Sequence, residues 1–212
     1  MLPTPVMRWF QILIIFLGLT LPLFSQETPA AKLITALEKL NSNGPIEVRA
    51  TITFKKSIRV QGIIMGEDFD IMWKAEDGSV IRQIALGENA WVTYDGKKWK
   101  TVDRDDRLVF NIVRGPIRIT NSNAESVYED VGTEQHNGET WLHIRFKAPQ
   151  EGTSVPEYWL ELDAGGQPIS VRRFVGAVAF GNVNMVQCEA EYAPAEPGTT
   201  IKPPPKKVLR TN

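Results

Sequence analysis

Residues 46 to 55, IEVRATITFK, alternate without interruption: Ile46, Val48, Ala50, Ile52 and Phe54 point one way, while Glu47, Arg49, Thr51, Thr53 and Lys55 point the other. Period two marks a strand with one face buried and one face wet, because successive side chains leave a pleated backbone on opposite sides. Such a strand needs partners along its edges and a cover for its apolar face. The chain that follows supplies strands. SIRVQGIIMG continues as a second strand with a phase break at Gly62, read as a bulge or bend, and FDIMWKA as a third. Asp77-Gly78 turns the chain into SVIRQIALG, and Gly87-Glu88-Asn89 turns it again. Short connections between strands predict an antiparallel meander.

WVTYDGKKWKTV, residues 91 to 102, is a hairpin around Asp95-Gly96, since glycine accepts the positive φ that tight turns require. Two registers are open. A two-residue loop pairs Tyr94 with Lys97 and puts Val92 opposite Trp99, on the side of Tyr94. A bulged three-residue loop puts Trp91 and Trp99 on one face and Val92 with Tyr94 on the other. Both registers leave large rings on both faces, more apolar surface than a solvated hairpin needs.

Two segments read as helices. TPAAKLITALEKLNSNG carries Leu33, Ile34, Leu37 and Leu40 on one stripe and stops at Asn43-Gly44-Pro45. In RDDRLVFNIVRGPI, Leu108, Val109, Ile112 and Val113 recur at helical spacing before Gly115-Pro116, with Asp103 as the expected cap. Later strands are SVYEDVG and ETWLHIRFK around Asn137-Gly138, then YWLELD and ISVRRFV around AGGQP, and a closing VNMVQCEAEY. That makes about ten strands interrupted by two helices.

The two ends lie outside this pattern. Residues 1 to 25 hold one charge, Arg8, before the apolar run WFQILIIFLGLTLPLF, which is short for a membrane span and ends at Leu23-Phe24-Ser25. They are expected to be a secretory signal peptide, cleaved after Ser25 or nearer Ala30 or Ala31, which places the mature chain in the periplasm. The one cysteine, Cys188, follows no apolar run, so no lipid anchor is encoded, and within a strand it reads as a small buried apolar residue. Residues 193 to 212 are rich in proline and carry Lys202, Lys206, Lys207 and Arg210, which predicts a disordered, basic tail with at most transient membrane contact. The domain is expected to span residues 26 to 192.

Charge and motif content exclude most chemistry. There are 24 basic and 25 acidic residues, interspersed, so no field for nucleic acid exists. His136 sits beside a turn and His143 alternates with Trp141 and Arg145, and neither belongs to a nucleophile or zinc signature. The acidic groups Glu67-Asp68-Asp70 and Asp103-Asp105-Asp106 lack the spacing of a calcium loop. With no glycine-rich phosphate loop either, the chain is expected to be no enzyme and to need no cofactor or metal.

What remains is apolar and aromatic, spread over one sheet that two short helices cannot fully cover. Either the sheet curls into an open barrel with a partly vacant concavity, suited to an acyl chain, or the rings pack on one another as an ordinary core. At this point EDFDIMWKAEDGSVIRQIALGENAWVTYDGKKWKTV resembles the Phe-x-Trp strand, connecting turn and Gly-x-x-Trp-x-Tyr hairpin of the periplasmic outer-membrane lipoprotein carrier (LolA-like) superfamily, which includes mycobacterial lipid-binding lipoproteins. YWLELDAGGQPISVRR is similar to that family's Asp-Gly-Pro-Ile hairpin. The resemblance covers most of residues 30 to 192. It implies a mainly β (α+β) fold: an antiparallel incomplete β-barrel with an N-terminal helix and a lid helix over an apolar cavity. Family carriers often hold a basic residue and a proline before the Phe-centred strand, the arginine latching the lid; here Met65-Gly66 stand instead.

The function expected is a monomeric carrier or binder of lipid-modified protein or another acyl-chain cargo. Ile52, Phe54, Phe69, Ile71, Trp91 and Trp99 are the candidate lining, and Leu108, Val109, Ile112 and Val113 the candidate lid. The alternative is an envelope protein-interaction or stress-sensor module with a filled core, whose outer face and tail dock a protein partner.

Overall fold

The computed structural model describes residues 27–75, 77–119, 127–147, 155–180 and 184–205. The expected signal peptide lies outside these residues. Among them no helix is long and apolar enough to cross a membrane.

The elements in chain order are helix α1 (Pro29–Ser42), strands β1 (Ile46–Thr53), β2 (Ser57–Met65), β3 (Asp68–Lys74), β4 (Val80–Leu86), β5 (Asn89–Thr93) and β6 (Trp99–Val102), helix α2 (Leu108–Arg114), a 3₁₀ turn (Gly115–Ile117), and strands β7 (Tyr128–His136), β8 (Glu139–Phe146), β9 (Glu157–Leu162), β10 (Pro168–Phe180) and β11 (Asn184–Pro194). Among the described residues eleven strands form one sheet in the order β6-β5-β4-β3-β2-β1-β11-β10-β9-β8-β7. Every neighbouring pair is antiparallel. The sheet is open, and with its two helices it is the incomplete β-barrel expected from the sequence.

One feature of the order differs from a simple meander. Strands β1 to β6 form one arm and β7 to β11 another, and the arms join where β1 pairs with β11, Ile46 opposite Pro194 through Thr53 opposite Gln187. The chain must therefore travel from β6 at one edge to β7 at the other. α2 lies on that path.

Register sorts the side chains into two faces. On the inner face, Ile46, Val48, Ala50 and Ile52 of β1 lie beside Val60 and Ile64 of β2 and Cys188, Ala190 and Tyr192 of β11, all buried. α1 covers part of this face with Leu33, Ala36, Leu37 and Leu40. The helix starts where expected: the Thr28 hydroxyl accepts from the Ala31 N–H at 3.2 Å, Pro29 needs no donor partner in the first turn, and Gly44 leaves the helix at φ 97°. Lys39 Nζ donates to the Pro168 carbonyl at 2.8 Å and Asn41 donates to the Ile117 carbonyl at 3.0 Å, so polar contacts fix how α1 sits over the second arm.

The outer face is a ladder of exposed ion pairs, among them Glu47–Arg49 on β1, Asp70–Arg82 across β3 and β4, and Glu129–Arg145 across β7 and β8. It also carries a second apolar cluster. Ile84 and Trp99 are buried there against Ile201, with Ile63, Leu86 and Trp91 beside them. This cluster explains the phase break read at Gly62. β2 runs through Gly62 in unbroken register with β1 and β3, and it is Ile63, turned outward, that interrupts the alternation. No bulge forms; a Cβ at Gly62 would instead collide with the Asp70 carbonyl oxygen and lie 2.7 Å from the Ile71 Cα.

The chain end departs from the expected boundary in the same way. β11 continues to Pro194, and the segment to Pro205 lies on the protein because Ile201 has an apolar cluster to enter. Composition alone argues for a solvated end there. Lys206, Lys207 and Arg210 lie outside the described residues.

Candidate functional site

α2 crosses the inner face and fills its middle. Phe110 is fully buried and stacks on Phe69 of β3, ring centroids 4.3 Å apart and 17° from parallel. Ile112, Val113 and Ile117 are also fully buried in the main core. Of the other residues expected in the lid, Val109 is half-buried and Leu108 is 42% exposed. Both line a groove of about 230 Å³ beside the first arm, whose remaining walls include Trp73, Ile81, Val92, Tyr94 and Val102.

The helix is apolar in the middle and polar where it is fastened. Four arginines around it converge on the β2–β3 turn. Arg104 donates to the Glu67 carbonyl at 3.1 Å and to Asp68 at 3.2 Å, while Arg107 and Arg118 each reach a Glu67 carboxylate oxygen at 3.0 Å. Arg114 is buried and donates to the Ile117 carbonyl at 3.0 Å and the Gly66 carbonyl at 3.4 Å. Burial lowers the pKa of Arg114, the Glu67 carboxylate opposing that effect. At the two ends of α2, the Gln83 amide donates to the Asp106 carbonyl and the Tyr192 hydroxyl to the Val113 carbonyl, the latter at 2.8 Å. Asp103 does not cap the helix. Its carboxylate accepts from the Asp105 N–H at 2.9 Å, closing a turn ahead of α2, whose N-cap is Arg107 without a side-chain cap bond.

The proposed lining residues separate. Ile52, Phe69 and Ile71 are fully buried on the inner face. Phe54 lies beyond the end of β1 and is 40% exposed. Trp91 and Trp99 belong to the outer face, which corrects their assignment to the inner lining. Thr93 pairs with Trp99 and Trp91 with Thr101, the register of the three-residue loop. Asp95 selects it: one carboxylate oxygen accepts from the N–H groups of Lys97 and Lys98, both at 2.8 Å, and from the Thr93 hydroxyl at 3.1 Å.

Two features of the site escaped the sequence reading. Phe110 is one, although Phe110, Val113 and Ile117 share a helical stripe. The other is the arginine set, where Arg107, Arg114 and Arg118 recur at helical spacing opposite the acidic pair Glu67 and Asp68. Cys188 is buried on the inner face, its thiol pushed up to about 12 by desolvation. Among the described residues no group of three or more His, Cys, Asp or Glu side chains could hold a metal ion.

No known family model matches the sequence, and no curated protein matches it. Solved structures do. The lipoprotein LppX of Mycobacterium tuberculosis superposes with a TM-score of 0.54 at 12% identity, over 82% of this chain and 97% of that one. LprF of Mycobacterium bovis superposes with a TM-score of 0.50 at 9% identity, over 82% of this chain and 96% of that one. At such identities the likeness is one of fold: the open, helix-covered half-barrel is shared with LppX and LprF.

Proposed function

We propose that the protein is a periplasmic carrier or binder of acyl-chain cargo, in which α2 is a lid displaced when a chain enters between it and the sheet. The observation that carries this reading is the contrast within α2. Its body is apolar and packs on an apolar sheet face beside a groove, whereas its fastenings to the β2–β3 turn are polar: the partly exposed ion pairs of Arg104, Arg107 and Arg118, and the buried Arg114 on the Gly66 carbonyl. Exposed ion pairs contribute about 0–1 kcal/mol each, so they hold position more than they add stability.

Magnitudes favour exchange of helix for lipid. Uncovering Phe110, Ile112 and Val113 costs about 1.5–3 kcal/mol per side chain, roughly 5–9 kcal/mol in all. A buried methylene returns about 0.8 kcal/mol, so a chain of about a dozen offsets that loss. Short chains do not. No covalent step is required, and the inner face supplies the binding energy while the turn at Gly66–Asp68 controls the lid.

Native mass spectrometry of freshly purified protein tests the reading, together with thermal shifts of delipidated protein against saturated fatty acids of increasing length. A retained lipid, or stabilisation that sets in only with long chains, is expected. The absence of both a retained lipid and any thermal shift across the series would defeat it. The second reading, an envelope protein-interaction module, draws on a different observation: α1, Phe110 and Ile112 already fill the inner face side chain against side chain. Co-purification of a stoichiometric protein partner with no bound lipid is the outcome that favours it.

A further inference from the structure

A second site lies on the outer face, away from α2. There a cleft of about 320 Å³ opens between the start of β1, the end of β11 and the tip of the β7–β8 hairpin. That volume falls at the lower end of the range of small-molecule sites, about 300–1,000 Å³. Its walls are organised before any ligand arrives. Trp141 is half-buried, donates its indole N–H to Glu139 at 3.0 Å and packs one side of its ring against His136, centroids 4.2 Å apart and the planes tilted by 30°. Opposite stands Arg49, held on Glu47 by two hydrogen bonds of 2.8 and 3.1 Å to one carboxylate oxygen. Arg172 lines the cleft as well, paired with Glu161 at 2.6 Å and 3.7 Å from Glu139.

We propose that this cleft binds a short neutral oligosaccharide. Two observations converge on that ligand class. An indole face offers a flat apolar platform, to which the C–H face of a pyranose ring is complementary. Carboxylates and guanidinium groups stand together in the cleft, Glu47, Glu139 and Glu191 with Arg49 and Arg172, so a ligand must both donate and accept hydrogen bonds. Hydroxyl groups do both. An inorganic anion would face more carboxylates than guanidinium groups, while a simple cation would meet two arginines.

The test is a titration of the full mature chain, ¹⁵N-labelled and followed by NMR, with chitotriose, cellotriose and maltotriose as probes and with phosphate and tetramethylammonium as counter-probes. Saturable shifts of the Trp141 indole N–H and of the 136–141 amides are expected with at least one sugar. Trp141→Ala should weaken that binding by about tenfold or more. Arg49→Gln, on an exposed side chain whose loss leaves the fold intact, should weaken it by a smaller factor, and Tyr94→Ala in the inner groove should leave it unchanged. Silence with all three sugars overturns the proposal. So does a response to phosphate or tetramethylammonium alone, or an equal loss in Tyr94→Ala, which would move the sugar to the inner groove.

Discussion

Asp95 illustrates how much a single side chain decides. Its carboxylate organises the turn from Thr93 to Lys98 and thereby sends both Trp91 and Trp99 outward. The backbone donors of Lys98 and Lys97 lower its pKa to about 2, from the 3.8 of an ordinary aspartate. The native form is therefore favoured by an ionised Asp95. That contribution is fully present above the ordinary carboxylate range and is lost as pH falls through about 2. Amide resonances of Lys97 and Lys98 should accordingly titrate with a midpoint near the lowered value, and a midpoint at the ordinary aspartate value would contradict the turn geometry. Gly62 is the second decisive position. Its lack of a side chain lets β3 approach, so Gly62→Ala should destabilise by about 1–3 kcal/mol in denaturant titrations, as overpacked sites do, despite the smaller entropic gain that alanine brings. A neutral or stabilising result would mean that β2 and β3 separate easily. The sequence marked Gly62 as special but suggested a bulge, because the outward Ile63 imitates a slip of register until its outer-face partners are known.

At the scale of elements, α2 is the one that needs explanation. A helix of seven residues has no stability of its own, so tertiary contacts hold it. Those contacts are of two kinds with different energies. Phe110→Ala should lower global stability by about 3–5 kcal/mol, since it empties the space over Phe69. Glu67→Gln should behave otherwise. It loosens the grip of Arg107 and Arg118 at a half-exposed site, where about 0–1 kcal/mol is at stake, and should speed hydrogen exchange across residues 108–114 while the denaturation midpoint barely moves. Unchanged exchange in Glu67→Gln, or a midpoint loss as large as that of Phe110→Ala, would show that the turn does not govern the helix. The helix itself was legible from the spacing of Leu108, Val109, Ile112 and Val113. The inward side was legible only in part: Ile112 and Val113 face the core, but Phe110 and Ile117 lie there with them while Leu108 is exposed, because the stripe through Phe110, Val113 and Ile117 is equally periodic.

At the scale of the whole molecule, local pattern reaches its limit for a physical reason. Alternation and turn residues mark each strand and each hairpin, since both are properties of neighbours in sequence. The pairing of β1 with β11 joins residues 46–53 to 187–194 and has no local signature beyond two strands apolar on one face. Yet that pairing makes the half-barrel one object. Without it the arm β1–β6 and the arm β7–β11 would each present an unpaired edge and an apolar face to water. The helices reinforce the union, α1 resting on β10, β9 and β7 while α2 stacks on β3 and bonds to Tyr192 of β11. Unfolding should then be a single cooperative event. Trp73, Trp91 and Trp99 report on the first arm, and Trp141 and Trp159 on the second. Variants in which the tryptophans of one arm are replaced by phenylalanine isolate each signal. Once differences in variant stability are allowed for, both signals and far-ultraviolet circular dichroism should change together over one denaturant range. An arm that melts ahead of the other would identify two units that fold separately, with α2 bridging them, and lid movement would then have to be understood as a motion between arms.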